Sequence, residues 1–124
     1  LRVDAARDLA VLQLPGRGHP CVPVSASRTL KVGEDIFVVG SPLGKKFASS
    51  VTRGVLSAER TIDGVTYLQT DASVSPGSSG GPLLDANGRV QAIVSAKIAG
   101  PGVDGLAFGV PIEVFISQLA VAFD

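Results

Sequence analysis

The residues that could do chemistry are concentrated in one short segment, residues 77–82, which reads GSSGGP. Nucleophilic acyl transfer by a serine needs an exposed hydroxyl, backbone N–H groups that converge on the developing oxyanion, and room for the substrate chain. Glycines on both sides of Ser79 favour such a site, because they tolerate strained turns and leave no side chain in the way. The pattern predicts Ser79 as the nucleophile and Gly77, Ser78 and Ser79 as the oxyanion segment, with the N–H groups of Gly77 and Ser79 as the donors.

The same letters fit the G-x-S-x-G elbow of α/β-hydrolases, and they also fit an ordinary flexible Ser/Gly turn. The elbow needs a buried strand before the serine, a helix after it and a later histidine. Here a Pro/Ser-rich loop precedes Ser79, Pro-Leu-Leu and a turn follow it, and no histidine lies C-terminal to it. The elbow is therefore rejected, whereas the plain turn stays open on the pattern alone.

Short β-rich runs separated by turn signals must position this loop. Asp63-Gly64 and Asn87-Gly88 are hairpin signals, and apolar residues at helical spacing after Pro111 predict a short C-terminal helix. Gly54 is a candidate bulge or barrel bend. Even strand spacing without βαβ alternation predicts a small all-β antiparallel barrel or sandwich of about six strands. The six predicted strands of this unit cover residues 36–40, 51–58, 65–70, 83–84, 90–96 and 106–110, and a further strand over residues 9–14 is extra to it.

Composition and charge exclude several classes of function. With 124 residues, 45% hydrophobic and 18% charged, the chain suits one folded domain rather than a disordered segment. Eleven basic and eleven acidic residues are spread along it. The chain therefore has neither the basic patch typical of nucleic-acid binding nor the run of basic residues typical of membrane-surface binding. No run approaches the about 20 apolar residues that span a bilayer. Cys21 is the only cysteine, which excludes an internal disulfide, and we predict no metal and no cofactor.

Residues 70–84, TDASVSPGSSGGPLL, resemble the serine loop of trypsin-like serine proteases, most closely the HtrA/Deg branch. Other blocks resemble the same family in the same order, so that the resemblance covers nearly the whole chain. It implies a six-stranded antiparallel barrel of the chymotrypsin-like type with a short C-terminal helix over residues 30–124. Residues 1–29 would be the end of a first barrel and the connection between barrels. The further blocks are DLAVLQL (8–14), LKVGEDIFVVGSPLG (30–44), SVTRGVLSAER (50–60) and LAFGVP (106–111).

The resemblance also implies roles for individual residues. Asp8 would be the acid of a catalytic triad and Ser79 its nucleophile. Ser78 stands where trypsin-like zymogens usually carry an aspartate that pairs with a newly cut N-terminus. A serine cannot form that ion pair, so activation by that route is not expected.

Substrate specificity follows from the resemblance in the same way. Ser73 would lie near the base of the primary pocket, where an uncharged side chain offers no partner to a buried Lys or Arg. Leu106 and Val110 would add apolar walls, which predicts a preference for small or medium aliphatic side chains. A neighbouring strand would pair with an extended substrate backbone by β-addition, which suits unfolded chains. Its predicted substrate-binding residues are Ser95, Ala96 and Lys97.

The general base of the triad is missing from the sequence. In the family, the histidine precedes the aspartate, but no histidine precedes Asp8, and His19 follows it in a Pro/Gly-rich loop. A Ser–Lys dyad is conceivable, yet no spacing singles out one of Lys45, Lys46 and Lys97. We therefore expect the parent protein to be a serine endopeptidase and this chain to be an inactive fragment, because it lacks the general base. The family's PDZ module is also not expected in this chain.

Three functions remain open from the sequence. The first is an HtrA-like protease that acts on unfolded or misfolded chains, the second a non-catalytic peptide-binding pseudoprotease, and the third an unrelated β-barrel with an incidental Ser/Gly loop. The first implies a polypeptide substrate, the missing N-terminal barrel as a partner and a possible homo-oligomer. It also implies an extracytoplasmic location, whether periplasmic, membrane-tethered or secreted.

Overall fold

The computed structural model describes residues 1–25, 29–41, 50–95 and 105–119. Strands dominate these segments, and the single helix in them lies near the C-terminus. The elements are β1 (Arg2–Asp4), β2 (Leu9–Val11), β3 (Asp35–Gly40), β4 (Ser50–Ile62), β5 (Val65–Thr70), β6 (Pro82–Leu84), β7 (Val90–Ser95), β8 (Ala107–Pro111) and α1 (Ile112–Gln118).

Strands β3 to β8 close into a barrel in the order β3-β4-β5-β8-β7-β6, and every neighbouring pair is antiparallel. This confirms the predicted six-stranded antiparallel barrel followed by a short helix. β1 and β2 form a separate two-stranded antiparallel ribbon outside the barrel. The helix of the described segments is too short to cross a membrane.

Two apolar clusters hold these parts together. The first fills the barrel with alternate strand residues such as Ile36, Leu68 and Val94, because successive side chains point to opposite faces of a strand. The second lies outside the barrel, where Leu9 of β2 packs with residues of β5, β8 and the helical end of the chain. Besides Leu9, its buried members are Val65, Tyr67, Phe108, Val110 and Leu119.

The ribbon is also attached by polar contacts. The guanidinium of Arg2 donates from Nη1 to the carbonyl of Leu119 at 2.7 Å, next to the C-terminal end of α1. A cation at this end of a helix is favourable because it faces the negative end of the helix dipole. Arg2, through a hydrogen bond, and Leu9, through apolar packing, therefore both attach the ribbon to the part of the barrel and helix that includes Leu119.

The hairpin turns follow the sequence signals. Asp63 and Gly64 join β4 to β5 with positive φ angles of 51° and 79°, as a two-residue type I′ turn requires. Between β6 and β7, the Asp85 carboxylate accepts hydrogen bonds from the N–H groups of Asn87 at 2.8 Å and Arg89 at 3.0 Å.

Two strands end three or more residues away from their predicted ends, and one bulge lies elsewhere than predicted. β2 ends at Val11 rather than at residue 14, because its partner β1 is only three residues long. β4 extends to Ile62, and its bulge lies between Leu56 and Ala58 rather than at Gly54. The predicted end of β7, Ala96, lies outside the described residues.

Candidate active site

The serine loop, residues 71–81, connects β5 to β6, and its first residues are tied to β4. The hydroxyl of Thr70 donates to the Val55 carbonyl at 2.7 Å and accepts the N–H of Ala72 at 3.1 Å. The Asp71 carboxylate accepts the Val55 N–H at 2.8 Å. Gly54 is needed at this crossing, since a Cβ there would meet the Asp71 carboxylate and the backbone of Ala72.

The other end of the serine loop is tied to β7. The N–H of Gly80 donates to the Val94 carbonyl at 2.8 Å, and the N–H of Val94 donates to the Gly81 carbonyl at 2.9 Å. Ser78 packs against Gly40, where a Cβ would come within 2.8 Å of the Ser78 hydroxyl. Ser79 is therefore held between two fixed neighbours, while its own side chain is exposed.

The oxyanion segment begins with a tight turn over residues 75–78. The N–H of Ser78 donates to the Ser75 carbonyl at 3.0 Å, and Gly77 has a φ of 98°. Pro76 fixes its own φ near −65°, so a positive φ at the next residue makes this a type II turn. The turn type sets the orientation of the Pro76–Gly77 peptide, and hence the direction of the Gly77 N–H.

The three expected oxyanion residues therefore differ in what their N–H groups do. The Ser78 N–H is used within the turn, so this residue does not serve as a donor to a ligand. Within the described segments, the N–H groups of Gly77 and Ser79 have no hydrogen-bond partner. The side chain of Ser78 is buried at 4% exposure, so it contributes packing beneath the nucleophile rather than a surface contact.

Asp8 lies in the turn between β1 and β2, with a φ of 58°. Its Oδ2 accepts a hydrogen bond at 3.4 Å from the hydroxyl of Ser95, the last residue of β7. Ser95 was predicted to pair with the substrate backbone, and its contact with Asp8 was not predicted. No local signal could have revealed it, since the two residues are 87 positions apart.

Asp8 and Ser79 line the same cleft, although they come from different sheets. The cleft has a volume of about 500 Å³, which is enough to hold a further side chain. His19 does not line it: its Nε2 lies 2.9 Å from the Pro15 carbonyl, in an exposed loop. The remaining lining residues are Leu9, Ala10, Gly80, Ile93 and Phe115, none of which is a base.

The pKa of the Tyr67 phenol is affected by charged residues near this cleft. Burial raises the pKa of Tyr67, and the negative charges of Asp8 and Asp63 raise it further, while Arg7 lowers it. The ring packs edge-on against Phe108 with the centroids 6.2 Å apart. Tyr67 therefore stays protonated at neutral pH and serves as an apolar support under the Asp8 turn.

The expected specificity residues do not converge on this cleft. Ser73 lines a separate pocket of about 50 Å³ under the serine loop, and its carbonyl accepts the Thr52 hydroxyl at 2.8 Å. Val110 has no exposed surface and belongs to the second apolar cluster, so it packs the core rather than a pocket wall. Leu106 is 40% exposed and lies in neither pocket. Ala96 and Lys97, like Lys45 and Lys46, lie outside the described residues.

No group of three or more His, Cys, Asp or Glu side chains that could hold a metal occurs within the described ranges. Cys21 is exposed and unpaired with another cysteine. The chemistry that the site offers therefore rests on a serine hydroxyl, two backbone N–H groups and a carboxylate.

Comparison with known proteins agrees with this arrangement. Residues 1–93 match the family model for the trypsin-like peptidase domain. The serine protease Do-like HtrB of Bacillus subtilis (strain 168) is 40% identical over 129 residues, which cover 94% of this chain and 28% of that protein. A probable periplasmic serine endoprotease, DegP-like, of Pseudomonas putida (strain W619) is 43% identical over 118 residues, which cover 91% of this chain and 24% of that protein.

A solved structure gives a similar result. The HtrA-type protease AlgW with decapeptide superposes with a TM-score of 0.69 at 27% identity, covering 82% of this chain and 32% of that chain. The chain thus spans between 24% and 32% of the length of these relatives.

Proposed function

This chain belongs to the trypsin-like peptidase family, on its HtrA/Deg branch, and from that premise we propose that it supplies the nucleophile and the acid of a serine endopeptidase. Ser79 is the nucleophile and Asp8 the acid. Gly77 and Ser79 provide the oxyanion hole through their N–H groups.

The observation that carries this proposal is the shared cleft of Asp8 and Ser79. The ribbon brings the carboxylate and the serine loop brings the hydroxyl, and both face one space. A lone Ser/Gly turn gives no reason for a carboxylate from a separate sheet to be fixed beside it by Ser95. This pairing favours the protease over an incidental loop.

The proposed reaction is acyl transfer through a covalent intermediate. The Ser79 hydroxyl attacks the substrate carbonyl while a histidine takes its proton, and the Gly77 and Ser79 N–H groups stabilise the oxyanion. The histidine then protonates the leaving amine, and water hydrolyses the acyl-enzyme in the same way. Asp8 orients the imidazole and stabilises its charged form.

The histidine comes from a part of the protein that precedes Asp8 in the family. We place residues 1–29 with the end of the first barrel and its connection, and residues 30–124 with the second barrel. On this proposal the 124 residues alone are inactive, because loss of the base leaves only residual catalysis from the oxyanion hole and binding. The rest of the first barrel is then the partner that covers the exposed Leu1, Leu12 and Leu14.

The proposed substrates are unfolded or misfolded polypeptides. Relatives named as periplasmic serine endoproteases support an extracytoplasmic location, and a structure named with a bound decapeptide supports a peptide ligand. We propose that an extended peptide adds its backbone at residues 95–97, at the end of β7 and beyond, because β7 itself is paired with β6 on one side and β8 on the other. Protein quality control is the role that follows.

Labelling with a fluorophosphonate tests the proposal directly. In the complete protein we expect the reagent to modify Ser79, and casein, a naturally unfolded protein, to be cleaved. Ser79→Ala must abolish both signals. Ser75→Ala is the matched control, because it removes an exposed hydroxyl from the same loop and keeps the carbonyl that accepts the Ser78 N–H.

The two alternatives predict different results. A peptide-binding pseudoprotease binds the unfolded chain with equal affinity in the wild type and in Ser79→Ala, and it never cleaves. An unrelated barrel neither reacts with the reagent nor binds the peptide.

A further inference from the structure

We propose that the ion pair between Asp4 and Arg7 is the device that positions Asp8, so that these two residues are positioning residues for the reaction. The inference rests on the proposed function only in its consequence for turnover. The structural part, that the pair fixes the Asp8 carboxylate, stands by itself.

Asp4 binds the turn between β1 and β2 with both oxygens of its carboxylate. Oδ1 accepts the backbone N–H of Arg7 at 3.2 Å, and Oδ2 accepts the Arg7 guanidinium at 3.0 Å. Two bonds from one residue fix both its backbone and its side chain. Since Asp4 ends β1 and pairs with Leu9 of β2, the turn is closed across its base as well.

The pair is well shielded for a surface contact. The side chains of Arg7 and Asp4 are 27% and 14% exposed, whereas those of the exposed pair Arg53 and Asp35 are 66% and 45% exposed. Desolvation by itself raises the pKa of the Asp4 carboxyl, but the hydrogen bonds and charge of Arg7 outweigh it and lower that pKa. Asp4 therefore remains ionised and keeps its hold on the turn at neutral pH.

Asp8 follows this pair directly, in a conformation that needs support. Its φ of 58° lies in the left-handed region, which Asp tolerates better than most residues with a Cβ but which is still less favourable than ordinary backbone. The Asp4–Arg7 pair fixes the residue before Asp8, and β2 begins at the residue after it. Held from both sides, the Asp8 carboxylate reaches the Ser95 hydroxyl.

The surroundings of Tyr67 support the same arrangement. Its phenol senses the negative charge of Asp8 and the positive charge of Arg7. The Arg7 side chain is 27% exposed and is paired with Asp4, so its guanidinium is largely shielded from solvent.

The experiment compares Asp4→Ala and Arg7→Ala with the wild type in the complete protein, by crystal structure and by steady-state kinetics on a peptide substrate. We expect the contact between Asp8 Oδ2 and Ser95 Oγ to be lost in both variants. We expect the displaced Asp8 carboxylate to lower kcat about 10- to 100-fold, while KM stays near the wild-type value. Asp4→Asn keeps an oxygen for the Arg7 N–H, and we expect it to retain more of kcat.

Asp35→Ala is the matched control, because it breaks the Asp35–Arg53 pair far along the chain and must leave kcat unchanged. A preserved Asp8–Ser95 contact in both alanine variants overturns the proposal, whatever happens to kcat. A fall in kcat that only follows a lower Tm also overturns it. If the wild type has no turnover, the proposed function fails, while the contact in the variant structures still decides whether the pair positions Asp8.

Discussion

The hydroxyl of Ser95 donates a hydrogen bond to Oδ2 of Asp8, which joins the end of β7 to the turn of the β1–β2 ribbon. The same strand, through Val94, fixes the peptide groups on either side of Gly80 and Gly81. One end of one strand therefore sets the places of both the carboxylate and the nucleophile.

We predict that Ser95→Ala lowers kcat/KM roughly 10-fold in the complete protein, about 1.5 kcal/mol, the lower range for a hydrogen bond to a charged group. The 3.4 Å distance argues against a larger effect. Hydrolysis of a peptide substrate measures it. Ser117→Ala is the control, since that exposed hydroxyl contacts the Val114 carbonyl of α1, away from the cleft. Unchanged kcat/KM in Ser95→Ala would remove this bond from the mechanism.

Gly77→Ala tests the oxyanion hole. Alanine resists a φ of 98°, so the turn will convert towards type I and redirect the Gly77 N–H. We predict a loss of about 100- to 1000-fold in kcat, as for removal of one oxyanion donor. Gly88→Ala is matched in strain, with a φ of 75° in a hairpin remote from Ser79, and it must reduce stability without reducing kcat. Equal kinetic effects of the two changes would contradict the assignment.

Gly54→Ala tests the crossing of the serine loop over β4. The added methyl group meets the Asp71 carboxylate and the Ala72 backbone, and the backbone cannot give way as a flexible side chain does. We predict a destabilisation of about 1–3 kcal/mol, together with slower labelling of Ser79 by a fluorophosphonate. Urea unfolding and labelling rates measure the two effects. Normal labelling in a destabilised variant would show that the crossing supports the barrel but not the nucleophile.

Asp85 gives the chain an acid-sensitive contact. Desolvation raises the pKa of this carboxyl, but the N–H groups of Arg89 and Asn87 and the Gln91 amide together hold it below its ordinary value of 3.8. A lowered folded-state pKa means that the contribution to stability is fully present above pH 3.8. It is lost as the pH falls through the folded-state pKa.

We therefore expect Asp85→Asn to lower the free energy of unfolding at pH 7 by about 1–3 kcal/mol. The same change should weaken the decrease of this free energy as the pH falls into the acidic range. Urea unfolding at a series of pH values measures both. Asp35→Asn, at a carboxylate that is 45% exposed, provides the comparison. The same dependence of the free energy of unfolding on acidic pH in Asp85→Asn and in the wild type would contradict this role.

The sequence was sufficient for features that depend on neighbouring residues. The Asp63-Gly64 turn, the β5 boundaries and the start of α1 follow from local backbone preferences. Strand number and spacing predicted a barrel or a sandwich, and the resemblance to trypsin-like proteases selected the barrel. The assignment of Ser79 stays a prediction, although the exposed hydroxyl between fixed neighbours suits it.

Features that depend on distant contacts could not be predicted. Val110 was expected at a pocket wall, but the alternation along β8 buries it under the ribbon and α1. β2 ends at Val11 because β1 is too short to pair with later residues, although the residue types at 12–14 continue a strand pattern. The Asp4–Arg7 pair is local in sequence, but its proposed role in positioning Asp8 could be inferred only from the left-handed backbone of Asp8 in the structure.

Every residue from 12 to 23, in the connection between the ribbon and the barrel, is exposed. The carboxylate and the nucleophile are thus joined by the contacts of Leu9, Arg2 and Ser95 in addition to this exposed connection. A nick in this connection leaves those contacts in place. Cleavage there is a poor off-switch for such a protein, whereas any ligand that lifts the ribbon separates the acid from the nucleophile without breaking a single covalent bond.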